Sequence, residues 1–253
     1  MEAARRLRAK VDAGHVTTGV LATDLLWPRL VESLRRAGID YLIVDREHGA
    51  HGDALVAEVC ALGRQVDFPV LLRPVDTEYA TIRRAIDLGP CGLLLPAVES
   101  AADLDRVRDS LWLPPRGHRR PGGPGNAWVS DFRYETWKAE VEDDFIVLPQ
   151  IESRAGLERA DEIAAHQITT AIAIGPYDLS VDLGVAAQME HPKLKEATAR
   201  IRAAGERAGK AMWRIGHGPA LVGEGCHFVC VGEPMAMLQR ALADADRETR
   251  AAG

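Results

Sequence analysis

Residues 41–52 read YLIVDREHGAHG. The stretch begins as an apolar strand, Tyr41-Leu42-Ile43-Val44, and passes directly into Asp45, Arg46, Glu47 and His48, with His51 close behind. A buried strand that runs into four ionisable side chains either meets a solvated turn or ends in an active site, as barrel strands do. How the other strands end decides between the two.

Apolar runs recur along the chain at 16–22 (VTTGVLA), 69–73 (PVLLR), 91–96 (CGLLLP), 145–151 (FIVLPQI), 169–174 (TTAIAI), 211–215 (AMWRI) and 227–231 (HFVCV). With 41–45 they make eight candidate strands. They are apolar throughout rather than alternating, which indicates a sheet covered on both faces. Helical stretches separate them. WPRLVESLRRAG ends in glycine, TEYATIRRAIDLG starts at a threonine cap and also ends in glycine, and SAADLDRV and SRAGLERADEIAAH each begin at serine. HPKLKEATARIRAAGERAGK is the longest. Eight buried strands alternating with helices in 253 residues is the layout of a (β/α)₈ TIM barrel, read as one domain over 1–253. The rival, a doubly wound open sheet, calls for a glycine-rich turn after strand one, and LATDLLWP has none. There is no internal repeat or linker. The one long irregular segment, 112–143, opens WLPPRGHRRPGGPG, and a loop of that length inside a compact domain is more often functional than idle.

Composition narrows the partners. Hydrophobic residues make up 47% of the chain, enough for a full core, and the formal charge of −6 recommends no nucleic-acid partner. An anion would need a local cationic pocket. The four cysteines, Cys60, Cys91, Cys226 and Cys230, show no CxxC spacing, and the charged amphipathic start MEAARRLRAKVDAG has no apolar leader segment. Reduced thiols in a cytoplasmic protein are the simplest reading. No run of about 18 apolar residues exists, so no membrane partner is expected.

The strand ends answer the opening question. Strand three ends in Arg73-Pro74, strand five in Gln150-Ile151-Glu152, strand six in Gly175-Pro176-Tyr177-Asp178, strand seven near His217 and strand eight near Glu233. The opposite ends carry far fewer such groups, so one shared site is favoured over solvated turns. Glu152 and Asp178, on neighbouring strand ends, are hard oxygen donors suited to Mg²⁺ or Mn²⁺. Each alone reads equally well as a helix cap. Arg73 ends an apolar strand, where a guanidinium needs an anion, either a substrate carboxylate or Asp45 or Glu47. His48 has a general base's pKa range, and Asp45 is placed to orient its ring; His48 and His51 also fit an ordinary surface pair. EHGAH differs from the HExxH spacing of zinc sites. The Cys226-His227-x-x-Cys230 run reads as core. Arg116, His118, Arg119 and Arg120 either grip an anion, lie in solvent or meet a subunit. Trp112, Trp128 and Trp137 suggest that the loop folds onto something, such as a neighbouring subunit. No lysine lies at a strand end, which disfavours Schiff-base chemistry.

Together these residues resemble the HpcH/HpaI family of class II pyruvate aldolases. The likeness runs through YLIVDREH, PVLLRP, LPQIESRAGLERADEI and AIAIGPYDLSVDLG. It implies a (β/α)₈ barrel of the phosphoenolpyruvate/pyruvate type. It further implies a homo-oligomer, a hexamer built as a trimer of dimers, with C-terminal helices exchanged between subunits. The implied reaction is reversible cleavage of 4-hydroxy-2-oxo acids to pyruvate, or a related 2-oxo acid, and an aldehyde, with Mg²⁺, Mn²⁺ or Co²⁺ as cofactor. By motif, Glu152 and Asp178 would hold the metal. Arg73 would contact the pyruvate carbonyl, and His48, hydrogen-bonded to Asp45, would be the base. Backbone amides near Gly175-Pro176-Tyr177-Asp178 would hold the carboxylate. Alternatives are a malyl- or citryl-CoA-type carbon–carbon lyase and a barrel that binds a 2-oxo acid without turnover. The sequence departs from the family pattern at Arg46, at Arg120 and at the VGEPMAML end of strand eight. Those departures bear on aldehyde specificity, which rim loops set.

Overall fold

The computed structural model of the protein describes residues 1–131 and 133–252. Eight parallel strands close into a barrel in chain order: β1 Thr17–Ala22, β2 Tyr41–Asp45, β3 Val70–Arg73, β4 Gly92–Leu95, β5 Ile146–Ile151, β6 Ile172–Ile174, β7 Met212–Ile215 and β8 Phe228–Cys230, which returns to pair with β1. The helices are α1 Glu2–Asp12, α2 Leu30–Arg36, α3 Asp53–Gln65, α4 Tyr79–Asp87, α5 Ala101–Leu111, α6 Tyr134–Trp137, α7 Arg154–Glu158, α8 Ala160–Ala165, α9 Pro176–Asp182, α10 Pro192–Arg207, α11 Gly218–Gly223 and α12 Pro234–Ala251. Ser100 and Ser153 cap α5 and α7 by accepting the amides of Asp103 and Gly156. All eight expected strands form, and the open-sheet rival is excluded. Expectation and structure differ most at β6, which begins at Ile172 instead of 169. The Thr169 hydroxyl donates to the Ile163 carbonyl at 2.7 Å and the Thr170 hydroxyl accepts the Val147 amide at 3.0 Å, so both threonines serve a turn.

Side-chain alternation sets what points where. The barrel interior near its N-terminal end is filled by Tyr41, Trp213 and Phe228. The Tyr41 hydroxyl accepts Trp213 Nε1–H at 2.9 Å and donates to the Val229 carbonyl at 2.8 Å, and its ring meets Phe228 edge-on. Gly19 sits opposite Tyr41 in register, and a Cβ there would overlap the ring. Because Tyr41 faces inward, Ile43 and Asp45 do too, whereas Arg46 turns outward. By the same parity Gln150 and Glu152 share one face of β5.

The N-terminal end is closed by α1. Lys10 reaches Asp40 at 2.7 Å, Arg6 reaches the Asp67 carbonyl at 2.7 Å, and Arg5 bridges Glu140 and Asp144 at 2.6 and 2.7 Å. These partners all lie in loops that lead into β2, β3 and β5. The 112–143 segment belongs to this end, since it joins α5 to β5. It contains a 3₁₀ turn, Pro124–Trp128, the short α6 and one π turn, Lys138–Glu142. Within the chain it is therefore a strap at the closed end rather than a rim loop. The tryptophans fold onto their own chain: Arg116 lies over Trp112, Arg119 over Trp137 and Arg64 over Trp128. The basic cluster divides in the same way. Arg119 is fully buried and paired with Asp87 at 3.1 Å, and Arg116 meets Glu142 and Asp143, whereas His118 and Arg120 are exposed. The four cysteines are buried free thiols.

At the other end of the chain, α12 is buried only at Pro234 and leaves Met237, Leu238 and Leu242 exposed. Among the described residues, no helix is long and apolar enough to cross a membrane.

Candidate active site

The register of β2 and β3 places Asp45 beside Arg73 at the C-terminal mouth of the barrel. Arg73 Nε and one terminal nitrogen donate to the two Asp45 oxygens at 2.9 and 2.6 Å, a bidentate pair. Its other terminal nitrogen lies 3.1 Å from Glu47 Oε2. Thr23 donates to Asp45 at 2.8 Å, and the Glu47 amide does so at 3.0 Å. Burial by itself would raise the fully buried Asp45 carboxyl, but Arg73 and Thr23 outweigh it and hold it below the usual carboxylate range. Burial likewise opposes the Arg73 charge, and Asp45, Glu47 and Glu152 outweigh that too. Of the alternatives open for Arg73, the protein's own Asp45 takes two of its five N–H groups, and Glu47 stands beside a third nitrogen as an ion pair without a hydrogen bond. Three N–H groups remain for a ligand.

Glu152 stands across the mouth and is caged. The Ala97 amide donates to Oε1 at 2.6 Å and the Gln150 side-chain amide to Oε2 at 2.5 Å. Gly175 closes the cage, because a Cβ there would overlap Glu152 Oε2 and Gln150 Nε2. Ala97 presents its N–H from a left-handed backbone, φ 49°, that a side chain disfavours. Burial pushes the Glu152 carboxyl up to about 7, with Glu47 and Asp178 adding to the push and the Ala97 amide and Arg73 opposing it. Burial also raises Glu47, helped by Asp45 and Asp178 and opposed by Arg73 and His48. Three carboxylates therefore repel one another across the mouth, with one guanidinium among them. The buried Gln150 Oε1 has no hydrogen-bond partner among the described residues.

The remaining expected residues fall around this centre. Asp178 lies exposed in the first turn of α9. Of the four backbone groups expected to grip a carboxylate, Pro176 has no N–H and the Gly175 amide is spent on the Ile151 carbonyl at 3.1 Å. That leaves the amides of Tyr177 and Asp178, which the first turn of a helix leaves without intrahelical partners. The Tyr177 side chain itself is 64% exposed. The expected Asp45–His48 ring contact does not form, because Asp45 is saturated by Arg73 and Thr23. The exposed His48 ring instead has Nε2 3.8 Å from Glu47 Oε2, and His51 turns away to the Ala22 carbonyl at 3.3 Å. Among the described residues, no group of three or more His, Cys, Asp or Glu converges to hold a metal.

Glu47, named from the sequence as a possible partner of Arg73, does stand beside it. Sequence reasoning passed over two other contributors. Gln150 was legible, since it stands two residues before Glu152 and must share its face. Thr23 was not, because it acts from a loop whose path no periodicity fixes.

A closed parallel barrel with buried, mutually repelling carboxylates and a partly committed arginine at its C-terminal mouth defines a class: a barrel with an enzyme-like centre where such barrels carry their chemistry. The chain belongs to the HpcH/HpaI aldolase/citrate lyase family, whose sequence profile matches residues 24–228. It is 31% identical over 245 residues to the hydroxypyruvate/pyruvate aldolase of Pseudomonas aeruginosa, covering 94% of this chain and 90% of that one. It is 30% identical over 218 residues to the 2-keto-3-deoxy-L-rhamnonate aldolase of Shigella boydii, covering 84% and 81%. The crystal structure of an HpcH/HpaI aldolase from Desulfitobacterium hafniense superposes with a TM-score of 0.88 at 29% identity, covering 96% of each chain.

Proposed function

We propose that the protein reversibly cleaves a 4-hydroxy-2-oxo acid into pyruvate, or a related 2-oxo acid, and an aldehyde, and that it does so with a divalent ion, Mg²⁺, Mn²⁺ or Co²⁺. The observation that carries this reading is the caged Glu152, a carboxylate steered by two donors and raised toward neutrality by burial and by facing Asp178 and Glu47. A donor set of hard oxygens in mutual repulsion fits a divalent cation, and the orphaned Gln150 Oε1 beside it fits a water or substrate hydroxyl. Glu152 and Asp178 would hold the ion, which would supply Lewis acidity for the charge that develops as the substrate is cleaved.

The chain's own groups do the rest. The uncommitted N–H groups of Arg73 serve charge that develops on the 2-oxo acid's carbonyl oxygen. Asp45 and Thr23 fix the guanidinium so that no reorganisation is needed. The amides of Tyr177 and Asp178 receive the carboxylate. His48 Nε2 takes the proton of the 4-hydroxyl as the C3–C4 bond breaks, and in the reverse direction takes a methyl proton of pyruvate. A positioned base contributes about 10²–10⁴-fold. Glu47, between Arg73 and His48, couples the two. The exposed Met237-Leu238-Leu242 stripe of α12 supports a homo-oligomer in which that helix is exchanged between subunits. The free thiols fit the cytoplasm.

Proton NMR of pyruvate in D₂O tests the reading. Loss of the methyl signal with Mg²⁺, Mn²⁺ or Co²⁺, abolished by EDTA, is the expected result. No exchange with any of the three ions would overturn it and turn attention to a thioester substrate.

A further inference from the structure

Among the cavities of the barrel wall, two lie beside its C-terminal mouth. The larger, about 720 Å³, runs between α10 and α11 and reaches Pro176 and Tyr177. Its three cations, Lys195, Arg202 and Arg214, are balanced by three carboxylates in the same lining, Glu190, Glu206 and Glu224. The smaller, about 330 Å³, lies over β3 between α3 and α4. Its wall is apolar, formed by Leu72, Pro74, Ala85 and Leu88, with Val75 55% exposed beside it. Its polar edge is not matched. Arg46 donates to Asp53 Oδ1 at 2.7 Å, and Arg84 reaches Asp53 Oδ2 through two nitrogens at 2.9 and 2.7 Å. Two guanidiniums thus share one carboxylate, and one positive charge is left over at the mouth of an apolar hollow. Arg46 is there because strand parity turns it away from the barrel interior that Asp45 faces.

We propose that this cavity is a second ligand site, for a small monocarboxylate with an apolar body of about the size of benzoate or hexanoate. The ligand's carboxylate takes N–H groups of Arg46 and Arg84 that Asp53 leaves free, and its apolar body covers Leu72, Ala85 and Leu88. Guanidinium forks suit a carboxylate, and a neutral apolar ligand would leave the excess charge unused. The volume sits at the small end of ligand sites, about 300–1,000 Å³, which excludes nucleotide-sized molecules. Occupancy is felt at the active site. The Arg46 amide donates to the Arg73 carbonyl at 2.8 Å, and the residues flanking Arg46, Asp45 and Glu47, hold the Arg73 guanidinium. A ligand that draws on Arg46 therefore acts on the peptide that positions Arg73, and the site regulates turnover. Only this coupling rests on the aldolase reading; the binding does not.

The test is isothermal titration calorimetry of the full chain with benzoate, in excess pyruvate and Mn²⁺ so that the Arg73 centre is occupied. Acetate and inorganic phosphate serve as controls. Two variants accompany the wild type: Ala80→Trp, which fills the cavity from an exposed position on α4, and Arg84→Ala, which removes one guanidinium. Expected are one benzoate site per chain, acetate and phosphate at least about tenfold weaker, and a loss of about tenfold or more in both variants. Benzoate binding that survives both substitutions, that pyruvate displaces, or that is absent in the folded wild type overturns the proposal. So does an Ala80→Trp variant whose oligomeric state changes in sedimentation, because the cavity is then a subunit seam. Pyruvate exchange measured on the same samples separates the two readings. Benzoate-independent exchange counts against the coupling alone, and missing exchange with intact benzoate binding counts against the aldolase alone.

Discussion

At the closed end of the barrel, α1 brings Arg5, Arg6 and Lys10 onto Glu140, Asp67 and Asp40, a cation to an anion in each pair. At the open end, Glu47, Glu152 and Asp178 face one another, and the one guanidinium among them, Arg73, is largely bound to Asp45. The closed end has the pattern of a fold that needs only to stay shut. The open end is electrostatically unfinished: burial and like charges are left uncompensated where a cation and an anionic substrate would complete them. The same contrast separates the buried groups. Asp87 at the closed end has two counter-charges, Arg119 at 3.1 Å and Arg83 at 3.6 Å, whereas Glu152 at the open end is steered by donors yet left without a counter-charge of its own.

The contrast breaks most visibly at the donor pair. Glu152→Gln or Asp178→Asn should lower metal-dependent pyruvate exchange by about 10³-fold or more, since Lewis-acid stabilisation is worth several kcal/mol, while circular dichroism keeps the wild-type signature. Full activity in either variant would remove that residue from the ligand set. Arg73→Ala should strike stability as well as turnover. It strands the fully buried Asp45 without its partner, at a cost of about 3–5 kcal/mol, which urea denaturation would report. Loss of turnover without loss of stability would mean that Asp45 finds water instead.

Acidity sharpens the comparison. The folded Glu152 carboxyl lies at about 7, above its ordinary 4.5, so the folded state binds its proton more readily. Its contribution favours the fold below about 4.5 and turns against it as pH rises through 7, by at most about 3 kcal/mol. The metal-free protein should therefore lose stability across that window. Glu152→Gln should flatten the loss, and added Mn²⁺ should reverse it at pH 7. Asp45 runs the other way, because its folded pKa is depressed: its contribution is present at neutral pH and is lost only as pH falls below the ordinary carboxylate range.

Smaller effects follow at Ala97 and at the closed end. Ala97→Gly should relieve about 1 kcal/mol of left-handed strain while keeping the amide that holds Glu152, so the protein melts higher with exchange unchanged. Ala97→Val should do the reverse. Arg5→Ala removes a partly exposed pair with Glu140 and a more buried one with Asp144, and should cost about 1 kcal/mol with no effect on exchange.

Much of this protein was legible in its residues. Apolar runs separated by capped helices determined the eight strands and their closure, because a strand buried on both faces leaves no polar alternation. The clustering of Asp45, Arg73, Glu152 and Asp178 at strand C-terminal ends located the candidate site, since parallel strands bring those ends to one mouth. Tertiary structure alone decided who touches whom there. Asp45 meets Arg73 rather than the His48 ring because β2 and β3 are in register at those two residues, and register belongs to the closed sheet, not to either strand. It also sent the 112–143 segment to the closed end, against the expectation that its departures bear on the rim: a connection from helix to strand must enter a parallel barrel from that side. It set the Glu152 cage as well, from an amide on β4's exit and a glycine on β6's, groups whose meeting depends on backbone paths that side-chain chemistry does not encode.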